Sequence, residues 1–204
     1  MEHVNEKLTH RQRQALVTQQ LIVKVSRDLF LQYGYGATTM EVIAEQAGVA
    51  ISTVYAIFKN KRGILRAIRA VWHQESGQRD IYQEALVQPD AGGRLDLVAH
   101  ATRRQWETGA SMIAIYRGAA ATDSEAATEL HSALQGRRTH LNHFIEASST
   151  FFRQELTTAQ ASAIFRALTL AELYEELTTY SGWSADDYEQ WLAQTLKQQL
   201  LMQK

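Results

Sequence analysis

A single proline, Pro89, stands among 204 residues, and apolar positions around it recur every three or four. Proline interrupts helices and this spacing matches the 3.6-residue helical period, so the chain reads as all-α. Leu21, Val25 and Leu29 line one face of a first helix, with Ile22 and Phe30 widening it, and Tyr33-Gly34 stops it. Thr38-Thr39-Met40-Glu41 has the T-x-x-E form of a capping box and opens a short helix that ends near Gly48. A third short helix covers about 50–57, and a longer fourth runs from about 60 into the eighties. Gln88-Pro89-Asp90-Ala91-Gly92-Gly93 is the strongest break. Helices are expected beyond it at 94–108, 111–120, 124–154, 158–180 and 185–202, about nine in all. Asp123 or Ser124 is placed to cap the long one, and Ser184 with Asp187 to cap the last.

Two of these helices, joined across Ala47-Gly48-Val49, carry the informative pattern. A helix-turn-helix needs a first helix packed across a second, a tight turn, and a second helix that projects short polar side chains outward. Val42, Ile43 and Ala47 supply a packing face for the first helix, and Gly48 can adopt the turn. Val49, Val54 and Phe58 point back to the core, which leaves Ile51, Ser52, Thr53, Tyr55 and Ala56 facing outward.

Charge is divided to match. Residues 1–70 hold ten Lys or Arg against five acids, a balance of +5, and the remainder is −6. A basic end on an acidic body points to a polyanion met at that end, although charge alone does not separate DNA from RNA or a membrane surface. Arg11 and Arg13, ahead of the first helix, could reach a minor groove or phosphates, with a solvated tail the plainer reading.

The stretch Leu29-Phe30-x-x-Tyr33-Gly34-Tyr35 to Thr38-Thr39-Met40-x-x-Ile43-Ala44-x-x-Ala47-Gly48-Val49 resembles the N-terminal domain of TetR-family regulators. The similarity continues through Thr53-Val54-Tyr55-x-x-Phe58 and Lys61 to Leu65, covering roughly residues 17–70. The resemblance implies a helix-turn-helix DNA-binding domain over 1–70 and a helical ligand-binding and dimerisation domain over 71–204. It implies that Thr38, Thr39 and Lys61 meet phosphate, while Thr53 and Tyr55 touch backbone and base edges. Ser52 adds a candidate contact, and Ile51 with Ala56 suggests readout through thymine methyl groups. Two positions depart from the family pattern: Ala50 lacks the usual Ser or Thr cap, and Ile57 replaces a His or Tyr.

The same resemblance implies a homodimer on a palindromic double-stranded operator and a small-molecule effector that releases a repressor. Ile164, Leu168, Ala171 and Glu175 form one stripe and Leu192, Leu196 and Leu200 another; each can serve a dimer interface or a core. Trp106, Met112, Ile113, Tyr116, Phe144 and Tyr174 are the candidate pocket residues, suited to a ligand that is apolar or aromatic in part, and equally suited to filling a core. The alternatives are a regulator governed by a protein partner and, more remotely, enzyme activity in the C-terminal half.

Several classes find no support. There is no cysteine, hence no disulfide or thiolate chemistry, which fits a reducing cytoplasm. Met1 to Leu8 is polar and lacks an apolar signal core, and no apolar run approaches the roughly 20 residues a membrane span needs. No nucleophile elbow, phosphate-binding glycine loop or distinctive carboxylate pair appears, so no catalytic residue and no cofactor are expected. His140, His143 and Glu146 have metal-ligand spacing on one helix, but Arg137 and Arg138 adjoin them and a solvated face is the better reading, so no metal is expected either.

Overall fold

The computed structural model describes residues 9–202; the polar segment Met1 to Leu8 lies outside them. The all-α expectation holds. Ten α-helices follow one another: α1 (His10–Tyr33), α2 (Met40–Gln46), α3 (Ile51–Phe58), α4 (Lys61–Ser76), α5 (Gln78–Val87), α6 (Ala91–Ala120), α7 (Ser124–Ser148), α8 (Thr158–Leu168), α9 (Ala171–Glu175) and α10 (Ala185–Leu200). A 3-10 turn follows α7 and a π-helical turn extends α9. Among the described residues there is no β-strand, and Phe152 meets Leu201 in an isolated antiparallel bridge.

Several boundaries differ from the sequence expectation, each for a local reason. Thr9 caps α1 in a full box with Gln12, so Arg11 and Arg13 belong to the helix and do not precede it. The buried face of α1 is Ile22, Val23, Ser26, Leu29 and Phe30, one position round from the expected stripe, and Leu21 is exposed. The expected fourth helix divides into α4 and α5 at Gly77, whose φ of +60° is left-handed. The expected break near residue 109 is absent because α6 runs unbroken for 30 residues. Gly109 is there for close approach: a Cβ on it would stand 2.0 Å from Nε1 of Trp72. The segment 158–180 breaks at Thr169-Leu170, while Ser184 and Asp187 make the expected capping box on α10.

The chain divides into two compact units. One runs up to Val71 and takes in Ala114–Ala127; the other holds Trp72–Ile113 and the chain from Thr128 onward. α4, α6 and α7 each contribute residues to both. In the second unit, α5 to α10 surround one apolar cluster that includes Tyr82, Val98, Trp106, Phe144, Phe165 and Tyr188. Leu192, Leu196 and Leu200 are fully buried in that cluster, so their stripe is core within the protomer and not a face open to a partner. Among the described residues no single helix is long and apolar enough to cross a membrane.

Candidate nucleic-acid interface

The chain bends by 114° between α2 and α3, within the range expected of a helix-turn-helix. Gly48 makes the turn at φ +65°, with its N–H donated to Glu45 O and that of Val49 to Ala44 O. Met40, Ile43, Ala44 and Ala47 are the buried side of α2; Val42, expected among them, is exposed. Val54 and Phe58 anchor α3 from below, and Val49 is half-buried. Ile51, Ser52, Tyr55 and Ala56 are exposed on the other side, with Thr53 half-buried between the two. Ala50 begins α3 with no side-chain cap, as its residue type dictates.

The two threonines before α2 have different places. Thr39 is the N-cap: its hydroxyl accepts from Val42 N at 3.3 Å, so the helix begins one residue later than expected and the Thr38–Glu41 capping box does not form, Val42 having no side-chain acceptor to return the bond. Thr38 is buried, and both its hydroxyl and its N–H are donated to Gly34 O, at 2.9 and 3.3 Å. Its side chain therefore ties the end of α1 to the start of α2, and Thr39 is the one that faces solvent. Lys61 opens α4, with its ammonium donating to the carbonyls of Tyr35, Gly36 (3.3 Å) and Thr38 (2.9 Å) and lying 4.3 Å from the Tyr35 ring. Partial burial pushes its pKa down, against the pull of Asp123. Its three hydrogens are thus directed at the loop that presents Thr39.

A set of contacts from Ala114–Ala127 completes this unit, and nothing in local sequence spacing announced them. Tyr35 donates its hydroxyl to Asp123 at 3.3 Å, and Arg62 pairs with Asp123 (3.8 Å) and Glu125. Asp123 also caps α7, accepting from Glu125 N and Ala126 N at 3.0 and 3.1 Å. Tyr116 donates to Leu65 O at 3.3 Å under Arg69. Tyr116 was expected with the pocket residues, but it belongs to this unit, because the end of α6 turns it toward α4.

The other pocket candidates lie in the second unit. Trp106, Phe144 and Tyr174 are buried in its core and Ile113 packs on the edge, whereas Met112 is buried outside that cluster. Phe144 stacks on Phe165 with centroids 5.6 Å apart and meets Tyr82 edge-on; Tyr174 meets Tyr188 edge-on at 4.9 Å. His140 packs half-buried against Tyr82 and His143 is exposed, and no three His, Asp or Glu side chains among the described residues are grouped as a metal site.

Residues 22–68, the span that holds α2, α3 and their supports, match the model for "Bacterial regulatory proteins, tetR family". This region is of the TetR type. Two curated relatives from Bacillus subtilis (strain 168) carry the same TetR-type region: the uncharacterized HTH-type transcriptional regulator YhgD, 37% identical over 59 residues, and YvkB, 32% identical over 75. Those matches cover 29% and 34% of this chain but 31% and 40% of the relatives' own lengths. The fold likeness extends further. NalD, the secondary repressor of the MexAB-OprM multidrug efflux pump in Pseudomonas aeruginosa, superposes with a TM-score of 0.73 at 19% identity over 94% of this chain and all of its own. At that identity the likeness shows the fold: a helix-turn-helix region of the TetR type followed by a helical body.

Proposed function

We propose that this chain is a TetR-family transcriptional regulator, a homodimeric repressor that binds a palindromic operator with α3 in the major groove and leaves it when a small molecule occupies the second unit. The observation that carries the reading is α3 itself. It is anchored by Val54 and Phe58 while Ile51, Ser52 and Tyr55 stay exposed, on a unit whose sequence carries a net positive charge. An eight-residue helix reads few base pairs, so two-fold symmetry is needed to double the contacts. Tyr55, Ser52 and Thr53 then touch backbone and base edges, and Thr39 with the first-turn amides of α2 meets phosphate. Lys61 holds the loop that presents Thr39 and adds its charge to the field.

Release requires a ligand with different affinity for two states. α6 supports such a link, since it contributes Trp106 to the second unit and Tyr116 to the first as one continuous helix. A displacement of α6 reaches Asp123, Arg62 and Tyr35, the contacts that flank the α1–α2 loop. Selection of DNA from a random pool by the full-length protein tests the reading. A two-fold symmetric site is the expected product; enrichment of no sequence, or of an asymmetric one bound by a monomer, overturns it.

A further inference from the structure

Arg137 on α7 is a cation held among aromatic rings without a counter-ion. Its guanidinium donates to the carbonyl and, at 3.1 Å, to the hydroxyl of Thr169, and lies 5.3 Å from the Trp106 ring. The same carbonyl already accepts from Trp106 Nε1 at 3.1 Å. Arg137 makes no ion pair among the described residues, and Glu172, within electrostatic reach, is exposed at the surface. Its Nε–H has no hydrogen-bond partner. Nor do the hydroxyls of Tyr82 on α5 and Tyr188 on α10, both fully buried in the same cluster and both within electrostatic reach of Arg137. The Thr102 hydroxyl beside Tyr82 is donated to Val98 O at 2.8 Å and its oxygen is an acceptor within reach of Tyr82, though outside good hydrogen-bond geometry.

Arg137 is half-buried, but its Nε and both tyrosine hydroxyls are shut off from solvent; each orphaned buried donor costs on the order of 1–3 kcal/mol, so three in one cluster imply a missing partner. The donors define that partner. Burial raises the pKa of both tyrosines, so they remain O–H donors at neutral pH. His140, one turn from Arg137, is pushed toward its neutral form by burial and by the positive field of His143, Arg79 and Arg137. One fixed positive charge and three donors match a carboxylate, a monoanion with about four lone-pair sites. A cation would be repelled and a neutral ligand would leave the charge uncompensated. Trp106 supplies flat apolar surface beside the charge, while Phe144 lies against Tyr82 and Tyr174 against Tyr188.

We propose that Arg137, Tyr82 and Tyr188 recognise the carboxylate of an aromatic or otherwise apolar acid, and that this acid is the effector; the second clause rests on the repressor reading above. Titration calorimetry on the full-length protein with benzoate, indole-3-acetate and octanoate, and with benzamide as the uncharged control, tests the site without DNA. At least one acid binds, benzamide does not, and Arg137→Gln weakens that acid on the order of 30-fold or more. Tyr188→Phe weakens it about tenfold. It removes only an unpartnered oxygen, so the free protein melts no lower, and this variant keeps the test decisive should Arg137→Gln fail to fold. Absence of binding by all three acids, equal binding of benzamide, or affinity unchanged in a folded variant overturns the site. Gel shifts on the selected operator then read the effector role. Release by the binding acid supports it, acid binding without release overturns it, and failure to select any DNA while the acid binds overturns the repressor reading alone.

Discussion

Lys61 brings one charge to a point where three carbonyl oxygens converge, which gives it a part in stability as well as in the field of the DNA-binding face. Hydrogen bonds to a charged group contribute about 1.5–3 kcal/mol, so Lys61→Ala is expected to lower unfolding free energy by that order in a denaturant titration. It should also weaken all DNA sequences together. A reduced slope of log affinity against log salt would assign part of that loss to phosphate, and an unchanged slope would assign all of it to the loop. Tyr55 and Ile51 are exposed at 45% and 37% and lie outside the buried core, so their substitutions bear on DNA more than on the fold. Tyr55→Ala should cost on the order of tenfold in operator affinity with the melting temperature unchanged. Ile51→Ser should shift the bases preferred in a repeated selection, and an identical selected site would remove thymine-methyl readout from the account.

Elements were legible where their signals are local. Ser184 with Asp187 closes a capping box within four residues, and Gly48 between Ala47 and Val49 makes a turn that needs no distant partner. The break expected between 108 and 111 is absent, and the role of Gly109 there depends on Trp72, 37 positions away in sequence, which occupies the space a side chain would need. For the same reason the buried side of α1 was placed one position out: which face turns inward is decided by what α2 and α3 lay against it. Gly109→Ala decides between the two readings. Helix propensity alone would make alanine better by about 1 kcal/mol. The Trp72 indole cannot yield freely, since it is buried and donates to Gln105 O at 3.0 Å. Overpacking of about 1–3 kcal/mol should therefore prevail, and calorimetric melting is expected to show a lower transition. A higher one would mean that the indole gives way.

At the scale of the whole molecule, the basic N-terminal region of the sequence does not stand alone. It is completed by Ala114–Ala127, a segment whose place no nearby spacing could reveal, and Asp123 is where that segment is most heavily bonded. Amides of Ala126 and Glu125, the Arg62 charge and the Tyr35 hydroxyl together hold the Asp123 carboxyl below the ordinary 3.8. A depressed carboxylate contributes stability that is present above its unfolded pKa and lost as pH falls through the folded one. The first unit should therefore loosen in the acid range below about pH 4, well clear of the physiological range. Asparagine caps a helix about as well as aspartate, so Asp123→Asn retains the start of α7 and removes the charge together with the oxygen that accepts from Tyr35. The variant should be less stable than the parent at neutral pH, and the gap should close as the pH is lowered toward 3 in parallel urea titrations. A gap independent of pH would locate the contribution in the cap and not in the charge. Tyr35→Phe made in both backgrounds separates the remaining hydrogen bond, which the cycle should show as coupled to Asp123 and absent from the asparagine variant.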